Sequence, residues 1–141
     1  MQFLSQFLIF AHIAGAGLIL GMSFFAYRAI SASKVSETSL AIYSFLAKYG
    51  KTLGPLQLAT GIGLWLIKTN YFKYPMIYVK LAVFVVAAQL ASTVIHRAVI
   101  HIDGKQKLAT PELAKLKHVS LVNLCLYTLA ILLGVVMSSL A

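Results

Sequence analysis

The stretch MIYVKLAVFVVAAQLASTVI, residues Met76 to Ile95, decides how this chain folds. It is almost wholly apolar, and roughly 20 such residues are the length that crosses the hydrocarbon core of a bilayer. The stretch therefore predicts a transmembrane helix. Lys80 is the exception within it, since a charge at that depth costs at least about 2.5–3.5 kcal/mol on insertion scales and marks a functional site by default. The alternative is that Lys80 snorkels towards the lipid headgroups.

Three further apolar runs extend this prediction to the whole chain. They lie at Phe3–Tyr27, Leu53–Ile67 and Val119–Leu140, and a buried core in water would not need four such runs in a chain of 141 residues. The first run is not a signal peptide, because it has no basic segment before it and is too long. We predict an all-α fold, an integral membrane four-helix bundle. Residues 1–141 form a single transmembrane domain with helices at about 3–27, 50–68, 75–97 and 117–140.

The basic residues predict the orientation of the bundle. Nine of them belong to the first and third loops and their borders: Arg28, Lys34, Lys48, Lys51, Arg97, Lys105, Lys107, Lys115 and Lys117. The second loop has only Lys68 and Lys73, and the N-terminal segment has none. Because basic loops stay in the cytoplasm, both termini are expected on the non-cytoplasmic side. The net charge of +9 then reflects topology and attraction to membrane lipid, and no basic-aromatic pattern indicates nucleic acid as a partner.

Two loops contain signals for the start of a helix. In the first loop, Ser36 or Thr38 can cap the second helix. In the third loop, the sequence Thr110-Pro111-Glu112 places a proline just after a capping residue, which is an ordinary helix start. The fourth helix can therefore begin before it enters the membrane.

His12 and Lys80 are predicted to lie at nearly the same depth. His12 precedes Arg28 by 16 residues and Lys80 precedes Arg97 by 17, which at a rise of 1.5 Å per residue puts them roughly 24 and 25 Å from the cytoplasmic boundary. Neutral imidazole is a common ligand of haem iron and other metals. A lysine that its surroundings keep neutral can be a second axial ligand or a proton acceptor. Gly15, one turn from His12, leaves room for a flat ligand.

A purely structural role remains the alternative for each of these residues. His12 can be a polar residue that hydrogen-bonds across helices, and the glycines, such as Gly17 and Gly21 in GxxxG spacing, can serve helix packing alone. His96, His101 and His118 are predicted to be interfacial or loop histidines, with a metal site as the alternative. The chain has only three acidic residues, and all are expected in loops, so it offers no side chains for hydrolytic or phosphoryl-transfer chemistry. The lone Cys125 excludes an internal disulfide and a Cys-x-x-Cys-His haem attachment.

Three short motifs resemble a known family. Ala11–Ala14 (AHIA), with glycines after it and Arg28 beyond them, resembles the first helix of HemJ-type protoporphyrinogen IX oxidases and, more broadly, of CopD-like small membrane proteins. Gly54–Leu66 (GPLQLATGIGLWL) and Tyr78–Val83 (YVKLAV) are similar to the second and third helices of that family. The chain departs from the family pattern at Ile19, Tyr27 and Met76, where the family has Trp, Pro and Arg.

The resemblance implies a four-helix membrane protein that binds haem b and oxidises protoporphyrinogen to protoporphyrin. By this resemblance His12 is the metal ligand and binds the cofactor together with Lys80 and Gly15, while Lys80 and Arg28 are the catalytic residues. It also implies a porphyrin or quinone-type small molecule as a partner, and a place in a bacterial inner (plasma) membrane.

Two other functions remain open. The chain can be a non-enzymatic accessory subunit, in a homo-oligomer or a larger respiratory or transport complex. CopD-like copper handling is the third possibility. It is disfavoured because Met22, Met76 and Met137 form no Met-x-x-Met pattern and no cluster with cysteine or histidine.

Overall fold

The chain folds into four helical rods in the computed structural model, which describes residues 2–67 and 74–140. Helices α1 (Gln2–Ser31) and α2 (Glu37–Ile67) are the first two rods. The third consists of α3 (Met76–Leu90), a π-helical segment (Ala91–Ile95) and α4 (His96–Asp103), which follow one another without a break. The fourth rod is α5 (Thr110–Leu140). The predicted all-α class with four helices is confirmed.

The rods are longer than the apolar runs that predicted them. α2 begins at Glu37 instead of about residue 50, the third rod ends at Asp103 instead of 97, and α5 begins at Thr110 instead of 117. The physical reason is that hydropathy detects only the part of a helix that lipid can surround, whereas helical hydrogen bonding continues into polar sequence. The predicted end of the second helix at residue 68, and the loop residues Lys68 and Lys73, lie outside the described residues.

Local capping explains where two of these rods begin. Ser36 caps α2, because its Oγ accepts a hydrogen bond from the backbone N–H of Ser39 at 3.1 Å. At the start of α5 the capping is done by Glu112, whose Oε2 accepts from the N–H of Ala109 at 3.1 Å. The predicted cap at Ser36 is confirmed, while the helix start predicted at Thr110 uses the glutamate of the same motif.

The rods pack mainly in pairs. α1 lies along α2, and α3 lies along α5, while contacts between α1 and α5 join the two pairs. α4 packs against α2. The connections α1–α2 and α4–α5 thus share one end of the bundle, here called the basic end because Arg28, Lys34, Lys105 and Lys117 lie there. At the opposite end, the terminal end, the Tyr74 hydroxyl donates to the Leu140 carbonyl at 2.9 Å.

Most of the buried core lies near the basic end. Its cluster joins residues from four helices: Ala26, Ile30, Tyr43, Ala98, Val99 and Leu116. The Tyr43 hydroxyl lies 2.9 Å from Ser120 Oγ. Burial raises the pKa of Tyr43 to about 12, so the phenol stays protonated. On the rim of the cluster Asp103 accepts from Ser44 Oγ at 2.6 Å and pairs with Lys48, which ties α4 to α2.

The apolar surface of the bundle indicates an integral membrane protein. Three helical stretches of the described residues are long and apolar enough to cross a bilayer: Gln2–Ser31, Met76–Asp103 and Thr110–Leu140. Large apolar side chains such as Phe3, Phe10 and Leu66 are more than two-thirds exposed on these rods and on α2. Contiguous apolar surface of this extent is not stable in water.

Candidate functional site

The first candidate site is a polar cluster between α1 and α2, built around His12. The cluster forms because α2 presents Gln57, Thr60 and Gly61 to α1 on consecutive turns. The Thr60 hydroxyl donates to the Gln57 carbonyl at 2.9 Å, and the same Oγ1 lies 3.0 Å from His12 Nδ1. Because the hydroxyl proton is already used, Thr60 accepts from His12, and the proton of the imidazole is on Nδ1. The lone pair is therefore left on Nε2.

Gln57 covers the His12 ring on one side. Its Nε2 donates to the His12 carbonyl at 2.9 Å and lies 3.4 Å from His12 Nε2. Its Oε1 is buried and has no hydrogen-bond partner within residues 2–67 and 74–140. A Cβ at position 15 would collide with this Oε1, so Gly15 is what admits the amide. The space that the sequence predicted for a flat ligand beside Gly15 holds the Gln57 side chain.

Gly61 completes the packing of the imidazole. A Cβ at this position would lie 3.2 Å from His12 Cε1, which is tighter than an ordinary van der Waals contact. The ring is thus held by Thr60 on one edge and by the bare backbone of α2 at Gly61 on another. The contacts with α2 therefore fix the orientation of the imidazole.

Lys80 lies close enough to act on this cluster. Its charge has a Coulombic interaction with the His12 ring, although Lys80 belongs to α3 and His12 to α1. The amine reaches over α5, where a Cβ at position 134 would lie 2.8 Å from Nζ. The protein has three acidic residues, Glu37, Asp103 and Glu112, and all of them lie towards the basic end. Among the described residues, Lys80 therefore has no aspartate or glutamate as a counter-charge.

The other predicted site residues lie elsewhere. Arg28 is exposed in the last turn of α1, and the 16 residues between it and His12 correspond to roughly 24 Å along a helix. His96 lies 3.4 Å from Lys51 Nζ, and His101 Nδ1 donates to the Arg97 carbonyl at 2.8 Å. In the described part of the chain no three His, Cys, Asp or Glu side chains come together as a possible metal site.

A second candidate site, which the sequence did not reveal, is a cavity of about 400 Å³ between α2 and the third rod. All four rods line it, and its walls are mostly apolar. The polar side chains of the wall include Asn123 and Tyr127, one turn apart on α5, and the hydrogen-bonded pair Tyr43 and Ser120, while Lys51 and His96 lie at its basic end. The available signal was Asn123 itself, a strongly polar side chain inside an apolar run.

Comparisons with protein-family models, with curated proteins and with solved structures find no match for this chain. The argument for function therefore starts from the two sites and from the short motifs of the sequence.

Proposed function

We propose that this protein binds a haem b in the membrane through His12 and Lys80, and that it is a redox protein. In this proposal all four rods cross the membrane, both termini lie on the non-cytoplasmic side, and the membrane is a bacterial plasma membrane. The charge distribution supports this orientation, because the basic end would then face the cytoplasm.

The contact between His12 Nδ1 and Thr60 Oγ1 is the observation that carries the proposal. A haem-iron ligand needs an imidazole nitrogen without a proton, and the other nitrogen is usually tied to an oxygen acceptor. Nε2 of His12 meets the first condition, and the hydrogen bond from Nδ1 to Thr60 Oγ1 at 3.0 Å meets the second. The donor set therefore fits haem. The Gln57 side chain must move away from Nε2 of the His12 ring for the ligand to bind. Its buried Oε1 has no hydrogen-bond partner among the described residues, so this position of the side chain is only partly stabilised.

The isolation of Lys80 supports an anionic or metal-containing ligand. A lysine inside an apolar bundle is costly unless it gains a partner, and no aspartate or glutamate of the described residues lies near Lys80. Lys80 would help to hold the haem, as a second ligand or by pairing with a propionate. Bound haem would supply one-electron redox chemistry, which none of the side chains in the site provides.

The more specific version is the oxidation of protoporphyrinogen IX to protoporphyrin, with electrons passing to a quinone or a partner protein. The resemblance of the His12, Gly54–Leu66 and Lys80 motifs to HemJ-type oxidases supports it. Lys80 would accept or hold protons near the substrate, and Gly15 would border the flat ligand once Gln57 has moved. Arg28 would act only at the other membrane face, because it lies too far from His12 to share a site with it.

One alternative function has an observation of its own. An accessory subunit of a larger membrane complex, or a homo-oligomer, needs a surface where helices approach closely. Gly17 and Gly21 of α1 and Thr128 of α5 border a shallow groove on the outside of the bundle, and small residues of this kind favour close helix packing in membranes. CopD-like copper handling has no comparable support.

The test of the haem proposal is an oxidised-minus-reduced absorption spectrum. The detergent-purified protein, expressed with haem supplementation, is expected to show a Soret band and the bands of a b-type haem, with about one haem per chain by pyridine haemochrome assay. A colourless wild-type protein after supplementation would overturn the proposal, and the accessory-subunit function would take its place.

The role of Thr60 provides a second prediction. Thr60→Val keeps the shape of the side chain but removes the acceptor for His12 Nδ1. Loss of such an outer-shell partner typically weakens metal binding by about 10–100-fold, so haem affinity should fall by that factor while the protein stays folded. Titration of apo-protein with hemin would measure it. Thr128→Val, at an exposed position whose hydroxyl bonds only to its own helix at 2.9 Å, is the matched control and should bind haem normally.

A further inference from the structure

The cavity between α2 and the third rod is separate from the His12 cluster. Its volume of about 400 Å³ lies within the range of about 300–1,000 Å³ that small-molecule sites occupy. Neither His12 nor Lys80 is among the residues that line it. The π-helical segment Ala91–Ile95 forms part of its wall, and single π-helical turns of this kind are frequent at functional sites.

Asn123 is the polar group that makes this cavity selective. The residue is 5% exposed, lines the cavity, and its Oδ1 has no hydrogen-bond partner among the described residues. A buried acceptor without a donor costs about 1–3 kcal/mol. A ligand that brings a donor to this atom would recover that cost.

Tyr127 defines the other half of the polar contact. Asn123 and Tyr127 lie one turn apart on α5 and both line the cavity, so the Tyr127 hydroxyl is a donor on the same wall as the Asn123 Oδ1 acceptor. A ligand oxygen that accepts from Tyr127 and donates to Asn123 Oδ1 is a hydroxyl group. The Phe84 ring, whose centroid lies 6.4 Å from that of Tyr127, adds an aromatic wall beside this point.

We infer that the cavity binds a lipid-soluble aromatic molecule with a ring hydroxyl, of the phenol or quinol class. Its hydroxyl contacts Asn123 and Tyr127, its ring lies against Phe84, and the rest of it fills the apolar cavity between α2 and the third rod. The inference does not depend on haem, because none of these residues belongs to the His12 cluster.

The experiment compares two probes with the same naphthalene ring, one with a hydroxyl that can donate a hydrogen bond and one with a methyl ether that cannot. Binding of 1-naphthol and of 1-methoxynaphthalene to the purified protein in lipid nanodiscs is measured by isothermal titration calorimetry, with protein-free nanodiscs as the blank. Wild-type protein should bind 1-naphthol saturably, one per chain, and about tenfold more tightly than the ether, as one hydrogen bond to a buried acceptor predicts. Asn123→Leu should bind both probes equally, whereas Thr128→Val, on the same helix but outside this cavity, should keep the preference.

A second variant covers the case in which Asn123→Leu does not fold. Gly54 lines the cavity, and a Cβ there would meet nothing within 4 Å, so Gly54→Phe fills the space without a clash at the backbone. It should lower 1-naphthol affinity at least tenfold. The inference is overturned if wild-type protein shows no saturable binding, if Asn123→Leu keeps the preference, or if Gly54→Phe binds like wild type. A colourless protein that still binds 1-naphthol would reject the haem proposal and retain this one.

Discussion

Replacing His12 with alanine is expected to abolish the b-type spectrum of the protein, whereas Lys80→Ala should shift the bands and leave haem bound. The difference follows from the two side chains. The His12 ring is fixed by Thr60, with its Nε2 lone pair free once Gln57 has moved, and it would provide the main bond to iron. Lys80 is an amine on a flexible four-carbon side chain, and it would be the weaker of the two contacts to the haem. The measurements are the oxidised-minus-reduced spectrum and the haem content per chain of each variant.

His118→Ala is the matched control for this prediction. His118 is exposed on the first turns of α5, at the basic end of the bundle, so its removal should leave haem content and spectrum unchanged. The haem ligand assignment would be wrong if His12→Ala kept a full complement of haem, or if His118→Ala lost it. Circular dichroism of each variant separates loss of haem from loss of the fold.

The helices were predictable from the sequence because a lipid bilayer restricts what a membrane span can be. Each span must be helical and apolar, so four apolar runs gave four rods, and only their ends were misplaced. The polar turns at Glu37 and Thr110 are helical for local reasons, namely Ser36 and Glu112 as capping residues, and hydropathy does not report capping.

The sites were only partly predictable for a different reason. Counting residues from the charged boundaries predicts that His12 and Lys80 lie at the same depth, since the rise per residue is constant in a helix. The partners Gln57 and Thr60 depend on the rotation of α2 against α1, and this rotation has no simple signature in one sequence. The cavity depends on the distance between α2 and α3, which is set only when the four rods pack together. Asn123, a polar residue in an apolar run, indicated a possible site. Only the packed structure shows that this residue lines a cavity.

Leu116→Ala should lower the free energy of unfolding by about 2–5 kcal/mol, the usual range for a leucine truncated in a close-packed core. Leu116 is 1% exposed and packs in the cluster with Ile30, Tyr43 and Val99. In the proposed orientation the charged residues around this cluster at the basic end face water, so burial there has the full hydrophobic driving force. Within the lipid-facing part of the bundle that force is missing, because lipid tails are as apolar as leucine.

Leu121→Ala, on the same helix but outside the buried cluster, tests whether the cluster at the basic end contributes more to stability than the rest of the rod. Leu121 is 39% exposed and loses few protein contacts on truncation, so its effect should stay below about 1 kcal/mol. Both variants are unfolded from mixed micelles with increasing dodecyl sulfate, followed by circular dichroism. Equal losses at the two positions would contradict the argument, since they would mean that packing along the whole rod, and not the cluster at the basic end, stabilises the bundle. A large loss at Leu116 alone would locate the stability of the fold far from His12, and would explain how Gln57 can move at the candidate haem site without unfolding the protein.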